Sequence, residues 1–404
     1  LILDRDAVII GGGPAGLLAA REIARRGHDV LVLEEHEKVG EPDHCAGLLS
    51  MSGLKSLNLD LPDSVVQNTV AGARIYAPSG SSLMIERGSR EAVVVDRRKF
   101  DAWLAERAER EGAEISLRTR AVSVSVEKRQ RCSIRVRNGN RTYDLTSRAL
   151  VNAEGVVGVV SKMLGLPKVP REHKLPAYQY EMSGADVDSE RVEMFYTRRY
   201  APGFFAWIIP LGAGRVRVGL AARSKSKARL DAAIKHHPVI SQRLREATRD
   251  RSIGGTVVVG LPVSKLSMNR VVTVGDAAGM VKATTGGGVI LGGITARVAG
   301  KVVAEGLTED SLESSSMRRY DMDARALVMK ELRLMSIAQR ALSALSDAGL
   351  DSVIRDAKTL GLLDIVRREG DMDLQGRVIE RLIRNPKMLL IGLRAIRYIN
   401  PFMS

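Results

Sequence analysis

A short apolar run, Ala7-Val8-Ile9-Ile10, ends at Gly11-Gly12-Gly13-Pro14-Ala15-Gly16, and a helical pattern begins at once. From Pro14 to Arg26, Ala15, Leu18, Ala19 and Ile23 share one face, while Arg21, Glu22 and Arg25 share another. Gly27 closes the helix, and Val30-Leu31-Val32-Leu33 forms a second buried strand ending at Glu34-Glu35. This order of strand, glycine-rich turn, helix and strand permits few folds. Gly11 allows the sharp turn, Gly13 lets backbone approach a pyrophosphate, and Gly16 allows close helix–strand packing. Glu34 is placed to accept the hydroxyls of a ribose, and an acid there disfavours a 2′-phosphate. A glycine-rich turn without a ligand is the bland alternative. Both strands, the helix and the acid in register outweigh it.

A second glycine-rich stretch spans residues 272–290. The apolar run Val271 to Val274 stops at Gly275-Asp276, and Gly286-Gly287-Gly288 opens another apolar segment at Val289. A buried strand would deliver one carboxylate to a tight turn, and a bare helix start would offer backbone N–H groups to an anion. The pair of glycine-rich sites points to FAD, held at two places by one discontinuous domain. Asp96-Arg97-Arg98-Lys99-Phe100-Asp101 begins another helix, with Phe100, Leu104 and Ala108 four apart. Arg97 either reaches a phosphate or the flavin side of the cofactor, or sits in a solvated cap region behind Asp96.

At 404 residues the chain has material for two or three domains, and its 45% hydrophobic and 27% charged content suits a soluble globular protein. No apolar run approaches the roughly 18–20 residues of a membrane span. The start Leu1-Ile2-Leu3-Asp4 reads directly into a strand, with no signal-peptide pattern. Only Cys45 and Cys132 occur, which argues for a reducing cytosol and against a disulfide framework. The net charge of +15 fits a basic solvated surface, an anionic membrane or RNA; an aromatic content of 4% makes single-strand recognition the weaker option.

The expected architecture is α+β or α/β. A Rossmann-like FAD-binding domain covers 1–70, 95–165 and 266–306. An inserted, mostly antiparallel substrate domain covers 71–94 and 166–265, with alternation such as Arg215-Val216-Arg217-Val218-Gly219-Leu220. A helical C-terminal domain covers 307–404, including Met317–Leu345 and Pro386–Ile399. In the last segment Met388-Leu389-Leu390-Ile391-Gly392-Leu393, with Lys387, Arg394 and Arg397, reads as amphipathic, either packed on the core or lying on a membrane surface.

Gly11–Gly16, the Asp96-Arg97…Phe100-Asp101 helix start and Gly275-Asp276-Ala277-Ala278-Gly279 together resemble the flavoprotein superfamily of p-hydroxybenzoate hydroxylase. Two further segments narrow the resemblance to the archaeal geranylgeranyl reductases. His44-Cys45-Ala46-Gly47-Leu48-Leu49-Ser50 resembles their Cys-Ala-Gly-Leu loop beside the flavin, and Phe205-Ala206-Trp207-Ile208-Ile209-Pro210 resembles their Tyr-x-Trp-x-Phe-Pro motif of the isoprenoid channel. Gly370-Asp371-Met372-Asp373 before the last helices is also similar to theirs.

The resemblance implies FAD-dependent saturation of isolated C=C bonds in geranylgeranyl chains, on archaeal-type digeranylgeranylglycerophospholipids or on geranylgeranyl diphosphate. It implies cofactor contacts from Gly11, Gly13, Ala15, Gly16 and Glu34 at the first fingerprint. Cys45, Ala46, Arg97 and Ala121 follow in the middle of the chain, then Asp276, Gly287, Gly288 and Val289. Cys45 and Trp207 become the catalytic and channel-lining candidates. The implied partners are an isoprenoid lipid and an electron donor, NAD(P)H or ferredoxin, with no nucleic acid and no metal. A cytoplasmic location with peripheral contact at the inner face of the membrane follows.

The chain departs from the family at several positions. Phe205 stands where the family has Tyr and Ile209 where it has Phe, which removes a channel hydroxyl. Ala283 replaces a frequent proline, and Glu154-Gly155 replaces Asp-Gly. Cys45 is either a small packing residue or a group near the flavin and the alkene that helps relay a proton. His44 either orients a water or is solvated. The rival functions are a flavin monooxygenase of aromatic or polyketide substrates and, more remotely, a basic RNA-binding flavoprotein.

Overall fold

The computed structural model describes residues 3–126 and 131–399; the Leu1-Ile2 part of the reading above lies outside them. The chain divides into two compact units. The first comprises Leu1–Asp43, Arg97–His173 and Gly260–Leu332, the second His44–Asp96, Lys174–Val259 and Arg333–Ser404.

The first unit is built on a sheet whose central strands are parallel. Leu3–Ile10 pairs with Val30–Leu33 on one side and Arg141–Asn152 on the other, flanked by Ala113–Ser116 and Val271–Thr273. Ala7, Val8, Ile9, Val30 and Val32 are fully buried, as expected of strands covered on both faces. Cys132–Asn138 and Thr119–Val126 extend the sheet through antiparallel pairings. Cys132 lies in this core, and burial pushes its thiol up to about 12. The helix Arg97–Arg110 buries Phe100, Leu104 and Ala108, the three residues spaced by four.

The second unit carries a seven-stranded sheet in the order Thr248–Val258, Lys174–Ser183, Arg215–Ala221, Ala206–Gly212, Arg191–Phe195, Gly72–Tyr76, Ser82–Glu86. Every pairing is antiparallel except that of Arg191–Phe195 with Gly72–Tyr76. Both faces are covered, and strand alternation sorts the side chains between them. Ala206 and Ile208 join the cluster of Val216, Val218, Leu220 and Tyr180, whereas Trp207, Ile209 and Leu211 join Phe204, Phe205 and Leu175.

Several expected boundaries differ from the observed division, and residues 166–173 and 260–265 fall in the first unit instead of the inserted substrate domain. Residues 44–70 belong with the second unit, because Leu48–Ser50 and Val66–Val70 pair with Ala92–Val95 in a separate three-stranded sheet. Residues 307–404 do not form a unit of their own. The helix Ser314–Ala344 contributes through Leu332 to the first unit, where the Tyr320 hydroxyl donates to the Thr273 carbonyl at 2.8 Å. The C-terminal helix Pro386–Ile396 buries only Ile391, so packing onto the core does not account for its apolar residues.

His237 caps the helix Pro238–Arg243, its Nδ1 accepting from the Ile240 N–H at 3.3 Å, with its ring edge-on to Phe195 and Tyr200. Burial pushes it down to about 4. An unfolded histidine titrates near 6.5, so the neutral ring contributes stability that is complete above about pH 6.5 and lost as pH falls towards 4. The contribution is on the order of 3 kcal/mol. His237→Asn keeps a capping acceptor. Its unfolding midpoint is expected to fall less steeply than the parent's between about pH 6.5 and pH 4. Superimposable acid profiles would remove His237 from this role.

Candidate functional site

In the first unit the glycine-rich turns leave two helix starts open. Gly13 is the N-cap of Pro14–Ala24 and Gly288 that of Val289–Thr308, and neither start receives a side-chain cap. The unpaired N–H groups at such starts carry partial positive charge and suit a pyrophosphate. The two glycines of the fingerprint serve different ends. A Cβ on Gly16 would run into the Gly11 carbonyl, whereas a Cβ on Gly13 would meet nothing within 4 Å. Gly16 therefore serves packing, and Gly13 faces open space. Ala15 stands in the first helical turn, against Gly275.

Glu34 ends the second strand as expected. Its Oε2 accepts from the Gly12 N–H at 2.8 Å, and its Oε1 accepts from the His36 N–H at 3.0 Å. These bonds hold the carboxylate at the glycine turn and leave it further lone pairs for ribose hydroxyls.

Asp276 follows the strand Val271–Thr273 in a tight 3₁₀ turn, Gly275–Ala278. No donor among the described residues hydrogen-bonds its carboxylate. Burial pushes its pKa up, with Arg97 pulling the other way. The Gly288 Cα lies against the same carboxylate, and Gly287 lies against Lys282. The Thr285 hydroxyl oxygen beside Gly287 is buried without a partner. Two uncapped helix starts, an unbonded carboxylate and an orphaned hydroxyl fit a dinucleotide with ribityl and ribose hydroxyls.

Three expectations for this unit are refined. Arg97 forms a bidentate pair with Asp101, Nε and Nη2 donating at 3.0 and 2.9 Å, so its guanidinium is fixed rather than solvated. Ala121 lies on the strand Thr119–Val126, and its methyl packs in the core with Ile10 and Leu33. Glu154 accepts from the Val160 and Ser161 N–H groups, both at 2.7 Å, and so caps the short helix that follows it.

The second unit holds the Cys45 loop through two rows of side chains on one face of the seven-stranded sheet. In the first row Gln179, Gly219 and Trp207 stand directly opposite one another on three adjacent strands. A Cβ on Gly219 would come within 2.6 Å of both Gln179 and the Trp207 ring, so the glycine lets these two side chains meet above it. Trp207 Nε1 donates to Gln179 Oε1 at 3.3 Å, and Gln179 Nε2 donates to the Cys45 carbonyl at 3.0 Å. The second row is Glu181, Arg217 and Ile209. Arg217, 0% exposed, donates to the Ala46 carbonyl at 2.9 Å, the Val95 carbonyl at 3.1 Å and Gln67 Oε1 at 2.8 Å. It also pairs with Glu181 at 2.9 Å. Burial works to raise the Glu181 carboxyl, but Arg251 and Arg217 outweigh it and hold it below the usual range.

Two successive carbonyls, those of Cys45 and Ala46, are thus gripped by two successive rows. The half-buried Cys45 Sγ accepts from the Gly47 N–H at 3.4 Å. His44 Nδ1 donates to the Gly254 carbonyl at 2.8 Å, which pins the start of the loop. Around Trp207 the lining is apolar: Phe204 and Phe205 stack at 4.3 Å, and Ala46, Leu48 and Met372 pack against the same cluster.

Gln179, Arg217 and Tyr196 were not singled out by the sequence. Tyr196 puts a phenol in this cluster, its ring 5.5 Å from that of Phe205. Burial pushes it up to about 12, so it stays protonated. Gln179→Leu leaves the Trp207 N–H and the Cys45 carbonyl without their shared partner. We expect turnover to fall roughly tenfold or more with little change in unfolding temperature, because displacement of a positioned loop costs rate before stability. Unchanged steady-state turnover would contradict this role.

A parallel sheet with two uncapped, glycine-rich helix starts, joined in one chain to an antiparallel unit with an apolar aromatic cluster, defines a dinucleotide-binding flavoprotein architecture. The FAD binding domain family matches residues 4–334. The chain is 30% identical to digeranylgeranylglycerophospholipid reductase 2 of Methanopyrus kandleri, over 94% of this chain and 97% of that one. It is 29% identical to digeranylgeranylglycerophospholipid reductase 2 of Methanothermobacter thermautotrophicus, over 94% and 99%. A crystal structure of a geranylgeranyl bacteriochlorophyll reductase-like protein from Thermoplasma acidophilum superposes with a TM-score of 0.87 at 26% identity, covering 99% of this chain and 100% of that one. The chain belongs to the digeranylgeranylglycerophospholipid reductase family of FAD-binding proteins. It is a flavin-dependent oxidoreductase, and its cofactor is FAD.

Proposed function

We propose that this enzyme saturates isolated C=C bonds in the geranylgeranyl chains of archaeal-type digeranylgeranylglycerophospholipids. The observation that carries the reading is the Trp207 cluster: an apolar, aromatic-rich lining with one gripped loop, Cys45-Ala46-Gly47, at its edge. Such a lining suits a chain with no polar group near its reacting carbons.

FAD would be held by the backbone at Gly11, Gly13, Ala15 and Gly16, by Glu34 on the ribose, and by Asp276 with Gly287, Gly288 and Val289 at the second glycine-rich start. Arg97, fixed by Asp101, supplies positive charge near Asp276. Ala121 contributes through backbone alone. When bound and reduced, FAD supplies hydride.

The protein's own tasks are to exclude water, align the alkene and deliver a proton. An isolated trisubstituted alkene is a poor hydride acceptor, so proton delivery leads or accompanies reduction, with positive charge developing at the tertiary carbon. The Cys45 thiol and the Tyr196 phenol are our candidate donors in the second unit for that step. Phe205 lacks a hydroxyl, and Tyr196 beside it has one. The electron donor is a nicotinamide nucleotide or ferredoxin that binds transiently, since the sequence carries no second complete nucleotide fingerprint. Among the described residues no helix is long and apolar enough to cross a membrane, and we place the enzyme in the cytoplasm, in peripheral contact with the membrane that contains its substrate.

Turnover in D₂O tests the chemistry. Each saturated bond should gain at least one carbon-bound deuterium from solvent. Product without solvent deuterium would rule out proton delivery.

A further inference from the structure

We infer that the C-terminal helix Pro386–Ile396 is an in-plane anchor on an anionic membrane surface. It rests on the lipid-reductase reading only in that such an enzyme must reach a bilayer. Leu389, Leu393 and Ile396 are 67%, 61% and 60% exposed, and Leu390 is exposed beside them. At 100° per residue these four positions fall within one arc of about 120°. Ile391, 2% exposed, lies outside that arc and holds the helix to the protein. Further bonds fix it: Lys387 Nζ donates to the Leu360 carbonyl at 2.8 Å, Arg394 pairs with Asp356 at 3.4 Å, and the Ser346 N–H donates to the Tyr398 carbonyl at 3.1 Å. The stripe is therefore held outward by design of the packing, and a contiguous apolar stripe of this kind marks a contact surface.

Charge identifies the occupant. Residues 376–399 carry Arg377, Arg381, Arg384, Lys387, Arg394 and Arg397 against a single acid, Glu380. Arg377, Arg381 and Arg384 line a cavity of 620 Å³ beside the start of the helix, opposed there by Glu369 and Glu380. A second copy of the chain would bring like charges face to face. An anionic headgroup layer meets the basic rim with opposite charge while acyl chains receive the leucines. Eleven residues of helix extend only about 17 Å, far short of a bilayer core, so the helix lies in the surface and does not cross it.

The test is cosedimentation of the full chain with vesicles of phosphatidylcholine, with or without phosphatidylglycerol, at low and high salt. The parent should bind the phosphatidylglycerol vesicles, bind phosphatidylcholine alone more weakly, and be released by salt. The double variant Leu389→Ser with Leu393→Ser should lose roughly tenfold or more in binding. It should keep the parent's unfolding temperature and its turnover on detergent-dispersed substrate. Met322→Ser, at a position 64% exposed in the first unit, should bind as the parent does. Parent-like binding by the double variant would overturn the inference. So would a parent dimer that the double variant splits, which would assign the stripe to a second copy. Vesicle binding without turnover on dispersed substrate would remove the reductase reading alone.

Discussion

Gly13→Val folds like the parent and loses FAD. Gly13 has φ −78° and ψ 174°, an extended conformation open to any residue, and a Cβ there would touch no protein atom within 4 Å. The added isopropyl group therefore costs the apoprotein little. It occupies the space through which a pyrophosphate would approach the bare N–H groups of the helix start. Losing one or two charge-assisted hydrogen bonds costs about 3 kcal/mol, a hundredfold or more in affinity. The measurement is flavin absorbance retained through gel filtration, followed by titration of the apoprotein with FAD. Gly16→Val is the counterpart, because its side chain strikes the Gly11 carbonyl and should lower stability itself. A Gly13→Val protein that keeps a full complement of FAD would show that the cofactor does not lie against this turn.

Arg217→Met should be the most destabilising single change in the second unit. The guanidinium bonds the Ala46 and Val95 carbonyls, Gln67 and Glu181, and no part of the residue is exposed. Methionine fills much of the volume but takes the Arg217 donor from two carbonyls and leaves Glu181 with Arg251 alone. Breaking a buried pair in this way costs roughly 3–5 kcal/mol. Calorimetric unfolding measures the loss. Adding Glu181→Leu to Arg217→Met should recover part of the stability, since the unpaired carboxylate goes with its partner. A parent-like unfolding temperature for Arg217→Met would mean that these bonds do not bear on the fold.

How much of this could be read from the chain depends on the reach of each signal. The first strand, turn and helix were legible because apolar period, glycines and Glu34 all lie within a few dozen residues and agree. Asp276 was legible for the same reason. The grip on the Cys45 loop was not. Gln179, Gly219 and Trp207 meet through cross-strand register between segments that each show only alternation, and no local pattern marks Gly219 as the position beneath a tryptophan ring. The boundary near residue 44 was missed because Leu48–Ser50 is three residues long and too short to show a period. Arg97 was ambiguous in sequence because its partner Asp101, one helical turn away, serves equally well in a solvated cap or a fixed pair. The C-terminal helix shows an amphipathic pattern in sequence, but that pattern does not say which residues are buried, and in the structure only Ile391 is.

The most direct measurement is the product mass after anaerobic incubation of the purified, flavin-loaded protein with dithionite and a digeranylgeranylglycerophospholipid. Mass should rise by two units for each double bond saturated, with no need for oxygen, and the Gly13→Val protein should give none. Unchanged lipid under these conditions, or a product heavier by an oxygen atom that forms only in air, would contradict the account.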